Sequence, residues 1–257
     1  MKIINKTYNI NNKLNKKIIL ISDIHYKNKK DINILNKVLY NIKKINPDYI
    51  CIPGDIIDKS SIKDESDFIE WLIKLSNICK VIISIGNHEF YINKYKKIYG
   101  LNKKLFNKIS KLNNIYLLDN KNVVIDNINF IGITIPMEYY QKKYINNFDK
   151  HLKKLKTYKE KYNILLCHSP INICNEKLDN FNLVLCGHMH GGVVLKLFRK
   201  LFKNNGLISP NKKIFPKNVY GNLKKDNTNI VITSGIKVIP YRFINKLFNP
   251  EIVEITI

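Results

Sequence analysis

The stretch Ile18-Ile19-Leu20-Ile21-Ser22-Asp23-Ile24-His25 decides how this chain is read. Four consecutive aliphatic residues match a strand buried on both faces, the kind found in parallel sheets covered by helices. The run then ends in residues able to bind metal. The same grammar recurs downstream: Tyr49–Ile52 runs into Gly54-Asp55-Ile56-Ile57-Asp58, and Val81–Ile85 into Gly86-Asn87-His88-Glu89. Ile164–Cys167 leads to His168, and Leu183–Cys186 to Gly187-His188-Met189-His190. Segments of helical period separate the first three runs, with stripes of Ile34, Leu35, Val38, Leu39, Ile42 and of Phe68, Trp71, Leu72, Leu75, Ile78. Asp23 to Asp55 and Asp55 to Asn87 are each 32 residues apart, about one strand-helix-strand unit. Parallel strands linked this way point their carboxyl ends at one sheet edge, where open α/β sheets bind ligands. Residues distant in sequence should therefore converge there.

Further along, the spacing predicts a lysine-rich helix from about Tyr91 to Leu112 and three consecutive antiparallel strands at Ile115–Leu118, Val123–Ile125 and Ile128–Ile133. A basic helix is expected near Tyr144 to Tyr162, and pairing strands at Ile230–Thr233 and Ile252–Ile257. No linker or repeat interrupts the 257 residues, so residues 1–257 read as one α/β domain.

At 45% hydrophobic and 25% charged, the composition is that of a globular protein and excludes disordered and collagen-like chains. The formal charge of +24 would ordinarily point to nucleic acid or an anionic membrane. Only Arg199 and Arg242 are arginines, however, and the excess of Lys, Asn and Ile with no Ala is what an AT-rich genome writes onto any surface. Charge alone thus carries little weight, and nucleic acid is disfavoured as a partner. Cys51, Cys79, Cys167, Cys174 and Cys186 are odd in number and lack metal-type spacing, which fits a reducing compartment. Residues 1–17 are polar and no stretch approaches the roughly 18 apolar residues of a span. The expectation is a cytoplasmic protein without signal peptide or transmembrane segment.

The strand-end residues form a mixed set of carboxylates, imidazoles and one amide oxygen, suited to Mn²⁺, Fe or Zn²⁺. Asp23, His25, Asp55, Asn87, His168, His188 and His190 are too many for one tetrahedral ion, whereas two ions sharing a carboxylate would use them. Each piece has an ordinary alternative. Asp23 could cap a helix, Gly54-Asp55 and Gly86-Asn87-His88 could be tight turns, and His168 could be a satisfied core histidine. Together they are harder to dismiss, because five of six histidines lie at strand ends and only His151 sits in a solvated lysine-rich segment.

This order of motifs, Asp-x-His, Gly-Asp-x-x-Asp, Gly-Asn-His-Glu, a lone His and Gly-His-x-His, resembles the calcineurin-like metallophosphoesterase superfamily. Gly191-Gly192, Ser234-Gly235, Pro240-Tyr241-Arg242-Phe243 and Asn249-Pro250-Glu251-Ile252 further resemble a bacterial branch of small membrane-associated phosphoesterases, which includes UDP-diacylglucosamine hydrolases. Two departures are Val193, where relatives often carry Gln, and the missing N-terminal apolar anchor. The resemblance implies an α/β/β/α sandwich of mixed sheets flanked by helices, with metals at the carboxyl ends of the strands. It implies that Asp23, His25 and His190 bind one divalent ion, that Asn87, His168 and His188 bind a second, and that Asp55 bridges them. His88 is then the catalytic acid, oriented by Asp58, and a hydroxide between the ions attacks phosphorus. Asp23, Asp55 and that hydroxide offset three of four metal charges, leaving about +1 to attract a phosphoester.

Val194, Leu197, Phe198, Leu201 and Phe202 share one helical face with Lys196, Arg199, Lys200 and Lys203 between them. Residues 194–203 are therefore expected to form a basic amphipathic helix, resting on an anionic membrane or packed on the core. Arg242 is a candidate phosphate contact, with an ion pair to Glu251 or Glu254 as its alternative. The preferred function is hydrolysis of a lipid-linked or nucleotide-linked phosphodiester. A nuclease and a metal-dead scaffold are the alternatives, and oligomeric state is not encoded legibly.

Overall fold

The computed structural model describes residues 2–10, 14–58, 64–92, 98–141, 148–173, 176–237 and 248–257. In chain order its strands are β1 (Ile4–Asn9), β2 (Lys17–Leu20), β3 (Tyr49–Ile52), β4 (Lys80–Ser84), β5 (Phe90–Ile92), β6 (Ile98–Leu101), β7 (Ile115–Leu118), β8 (Lys121–Ile125), β9 (Ile128–Ile133), β10 (Tyr162–Cys167), β11 (Leu183–Cys186), β12 (Gly221–Lys225), β13 (Thr228–Ile232) and β14 (Glu251–Thr256). The helices are α1 (Ile32–Ile45), α2 (Ser66–Ser76), α3 (Lys103–Ile109), α4 (Met137–Gln141), α5 (Asp149–Leu152), α6 (Pro170–Ile173) and α7 (Arg199–Phe202).

Two six-stranded mixed sheets stack face to face with helices outside them. The first runs β1-β14-β2-β3-β4-β7 and the second β12-β13-β11-β10-β9-β8, while β5 and β6 pair separately. Within the first, β2, β3, β4 and β7 are parallel. Within the second, β9, β10, β11 and β13 are parallel.

Strand alternation explains why the apolar runs are unbroken. Ile18 and Leu20 point inward with Tyr49, Cys51 and Ile82 to meet Phe130, Ile164, Leu166 and Leu185 of the second sheet. Ile19 and Ile21 point the other way, with Ile50, Ile52, Val81 and Ile83, onto Leu35, Val38 and Ile42 of α1 and Phe68, Trp71, Leu72 and Leu75 of α2. A third cluster places Leu165, Cys167, Val184 and Cys186 against Phe148, Leu152 and Ile173. Both faces of each central strand are thus covered, as the continuous hydrophobicity required.

Four expectations need correction. The segment expected to be a helix from Tyr91 to Leu112 instead begins with β5 and β6, and among its described residues, which exclude 93–97, only Lys103–Ile109 is α-helical, capped by the Asn102 side chain on the Leu105 N–H at 3.2 Å. Ile115–Leu118 does not pair with Val123–Ile125: β7 is parallel to β4 in the first sheet, and β8 pairs antiparallel with β9 in the second. The chain crosses between sheets there, so turn spacing alone mimics a meander. Of the helix expected at Tyr144 to Tyr162, residues 144–147 lie outside the described residues, and among the rest only Asp149–Leu152 is helical. Residues 194–203 form a 3-10 turn (Lys196–Phe198) followed by the single-turn α7, not one continuous helix.

Phe68 ties the helical layer to the end of β2. Its ring stacks on Tyr26 at 4.9 Å between centroids and on Trp71 at 5.9 Å. All three rings are buried, and Trp71 is the sole tryptophan of the sequence. Phe68→Ala is expected to cost about 3–5 kcal/mol through the cavity it opens. The melting temperature, followed by Trp71 fluorescence, should fall by roughly 10 °C.

Candidate metal centre

Strands β2, β3 and β4 deliver Asp23 and His25, Asp55 and Asp58, and Asn87 and His88 just beyond their carboxyl ends. Strands β10 and β11 deliver His168, His188 and His190 from the facing sheet. Asp23, Asp55 and the five histidines meet at one seam, with Asn87 next to His88 in the chain and Asp58 beside the His88 ring, and only His88 and Asp58 are more than marginally exposed.

One ligand atom each from Asp23, His25 and His190 lies within 4.8 Å of the others, and Asp55, His168 and His188 form a second such group. A third, His25, Asp55 and His88, overlaps both. Asp55 Oδ2 lies 3.0 Å from His168 Nε2, 3.8 Å from His25 Nε2 and 4.0 Å from His88 Nε2. Asp23 Oδ1 lies 3.8 Å from His25 Nε2 and 3.9 Å from the Nε2 atoms of His168 and His190. His168 Nδ1 is 3.0 Å from the Pro53 carbonyl, so this nitrogen carries the proton and Nε2 presents its lone pair to the site. Both ring nitrogens of His25, Nδ1 of His190 and Oδ1 of Asn87 are buried with no hydrogen-bond partner among the described residues. Buried polar atoms are rarely left so, and oxygen and nitrogen lone pairs facing a common centre fit divalent cations.

The loops approach too closely for side chains other than those present. Gly54 adopts φ +110°, and a Cβ there would lie 2.5 Å from the Gly86 nitrogen. A Cβ on Gly86 would lie 2.3 Å from Asp55 Oδ1. Between these loops sits the buried Glu89 carboxylate. It accepts N–H groups from Asp55 at 2.9 Å, Ile56 at 2.9 Å, Ile57 at 3.3 Å and Gly86 at 2.6 Å. Asp55 in turn accepts the His88 N–H at 2.8 Å, and the His188 N–H donates to both oxygens of Asp23 at 3.1 Å. Asp23, His25, Asp55, His188 and His190 all take positive φ, between 46° and 65°. Left-handed backbone costs a residue with a Cβ about 1–2 kcal/mol and persists where the surroundings over-determine it.

Electrostatics favour the ligating protonation state at His25, Asp55, His188 and His190, whereas burial raises the Asp23 carboxyl and His168 is raised by its acidic neighbours, so these two reach the ligating form only against a cation. Burial drives the pKa of His25 and His188 well below the usual histidine range and lowers that of His190, leaving neutral imidazoles. Burial works against the charge on Asp55, yet His168, His88 and His25 together hold it well below the ordinary carboxylate range. Burial also opposes protonation of His168, but Asp55, Asp23 and Glu89 outweigh it and carry the ring up to about 9 in the absence of another cation.

His88 Nδ1 lies 3.7 Å from Asp58 Oδ1, and its ring meets that of His25 edge-on at 4.5 Å. Arg242 lies outside the described residues. Three residues were missed. Glu89 stood inside a quoted motif, but nothing in the sequence revealed four converging donors. Glu251, also in a quoted motif, accepts the Tyr220 hydroxyl, Thr233 Oγ1 at 3.0 Å and the Ser234 N–H at 3.1 Å. Arg199 lies 4.4 Å over the Tyr220 ring and donates to the carbonyls of Gly191 and, at 3.2 Å, Asn205, bracing the loop after His190. Its rarity in a lysine-rich chain was the available signal.

The calcineurin-like phosphoesterase family model matches residues 16–192. The chain is 30% identical over 178 residues to the uncharacterized metallophosphoesterase Cj0846 of Campylobacter jejuni, covering 69% of this chain and 45% of the relative. It is 30% identical over 182 residues to an uncharacterized metallophosphoesterase of Helicobacter pylori, with the same coverages. With the uncharacterized metallophosphoesterase YkoQ of Bacillus subtilis it shares 27% identity over 186 residues, covering 69% of this chain and 62% of that protein. The chain thus spans about half the length of the first two relatives. On the extent of the family match and these identities, the chain belongs to the calcineurin-like phosphoesterase family.

Proposed function

We propose that the protein hydrolyses a phosphodiester carried on a lipid or a nucleotide, using two divalent ions. The observation that carries this reading is that buried Asp55 shares one ligand group with His168 and His188 and another with His25 and His88, beside a further group of Asp23, His25 and His190. Asp23, His25 and His190 would hold one ion and Asn87, His168 and His188 the other, with Asp55 available to both. Ions of the Mn²⁺, Fe or Zn²⁺ type supply Lewis acidity toward a phosphoryl oxygen and acidify water toward a pKa of roughly 7. His88 donates a proton to the departing oxygen while Asp58, 3.7 Å from its Nδ1, orients the ring. Such acid catalysis is worth on the order of 10²–10⁴-fold.

A cleft of about 930 Å³ supports the choice of substrate. Its wall includes Ile171 and Met189, neighbours in sequence of His168 and of His188 and His190, with Phe215 and Val219 beyond them. Lys212, Lys213 and Lys217 share the lining, so apolar bulk and negative charge are both accommodated. The same segment supports contact with an anionic bilayer. Leu197 and Leu201 are 84% and 79% exposed rather than packed on the core, flanked by Lys200 and Lys203, and Ile214 and Phe215 are also exposed.

Purified protein supplied with manganese, iron or zinc should bind about two ions by plasma mass spectrometry and cleave bis-p-nitrophenyl phosphate. His88→Ala should retain those ions and lose about 10²–10⁴-fold in kcat. A wild type inert with all three metals overturns the reading. Among natural substrate classes, UDP-linked lipid should be cleaved faster than DNA, and the reverse order would establish a nuclease. Glu89→Gln, which sets an amide NH₂ against the backbone donors, should lower stability by about 3 kcal/mol and reduce bound metal. In co-sedimentation with anionic vesicles, Leu197→Asp/Leu201→Asp should partition less than wild type, and equal partitioning would remove the membrane contact.

A further inference from the structure

Tyr140, on α4, has no part in the ligand set, yet it stands against that set. Its ring meets the His188 ring edge-on at 5.1 Å and lies 6.2 Å from that of His168. Its hydroxyl is buried and has no hydrogen-bond partner among the described residues. A phenylalanine would give the same ring packing without burying a hydroxyl. Leaving such a group unpaired costs roughly 1–3 kcal/mol. A phenol is a neutral donor at physiological pH, because its ordinary pKa is about 10. The oxygen-rich partner that suits a neutral donor beside His168 and His188 is one that itself sits on the centre.

We infer that the Tyr140 hydroxyl donates a hydrogen bond to a phosphoryl oxygen of the bound substrate, on the side of the centre lined by His168 and His188. The inference rests on the phosphodiesterase reading above and adds to it a substrate contact contributed by α4. It is an anion contact from a neutral donor, so it selects for the phosphoryl group without adding to the positive charge of the site. No covalent bond to Tyr140 is involved.

Tyr140→Phe tests it, in manganese-loaded protein, with inorganic phosphate as the probe in calorimetric titration and bis-p-nitrophenyl phosphate as the probe of turnover. Removing one donor to a charged oxygen should weaken phosphate binding about tenfold and lower kcat/KM by a similar factor or more. Manganese content should stay at the wild-type value, and the melting temperature in the absence of phosphate should be equal to or above it, since the unpaired hydroxyl is gone. Equal phosphate affinity in the two proteins overturns the inference even if the wild type cleaves the diester. Absence of phosphate binding by the loaded wild type overturns it as well. Loss of manganese from Tyr140→Phe also counts against it, because the hydroxyl would then support the ligands rather than the substrate. A wild type that binds phosphate through Tyr140 but cleaves nothing would overturn the hydrolytic reading and leave this contact standing.

Discussion

The rest of the structure depends on one short separation, the 3.0 Å between Asp55 Oδ2 and His168 Nε2. Both groups are buried, and the other nitrogen of His168 is committed to the Pro53 carbonyl. The two groups therefore face each other in a low-dielectric seam, where Asp55 holds a proton on His168 Nε2 unless a metal cation takes that proton's place. Burying Asp23 and Asp55 together raises the same demand on a larger scale. A single proton on His168 compensates only one of these charges, whereas divalent ions would compensate both.

Holding such an arrangement is the task of groups that never face the centre. Glu89 gathers the loops after β3 and β4 onto one carboxylate, so Asp55 and His88 keep a fixed relation. Glu251, on β14 of the first sheet, does the same across the seam by accepting from Thr233 and Ser234, which follow β13 of the second. Ile236 and Lys237 add backbone bonds to the carbonyls of Ser22 and Asp23 at 2.9 and 3.0 Å. The strain stored in five left-handed ligand residues is offset by these bonds and by the packing beneath them. Two buried glutamates, one for each junction, thus convert sheet stacking into ligand geometry.

What could be read in advance follows from which forces act locally. Strands β2, β3, β4, β10 and β11 were legible because full burial writes itself as an uninterrupted aliphatic run, and each run ended in a residue type that seldom serves packing. The edge strand β1 was not, since its residues alternate between half-buried and exposed and its composition is polar. The pair β5 and β6 was hidden in a lysine-rich stretch whose composition obscures any period. β7 was assigned to the wrong partner because a two-residue turn, Asp119-Asn120, gives no sign that the chain is changing sheets. Candidate ligands could be found by type and spacing. Glu89, Glu251 and Tyr140 could not, because their significance lies in what surrounds them after folding, and Arg199 was marked only by its rarity.

The segment after His190 shows how substrate binding can be linked to the centre. The Gly192 carbonyl accepts the N–H groups of Leu207 and Ile208 at 2.8 and 3.1 Å, and Leu207 accepts that of Phe215 at 2.9 Å. Arg199 closes the same turn onto Gly191. The exposed leucines at 197 and 201, the cleft wall at 212–219 and the histidine-bearing loop are thereby parts of one hydrogen-bonded unit. A group lodged in the cleft, or a surface pressed against the leucines, acts on a unit whose other end carries His188 and His190. On the proposed reading, geometry at the candidate ligands and recognition in the cleft would be coupled through these backbone bonds, which is where binding energy distant from the reacting atoms can be used for orientation.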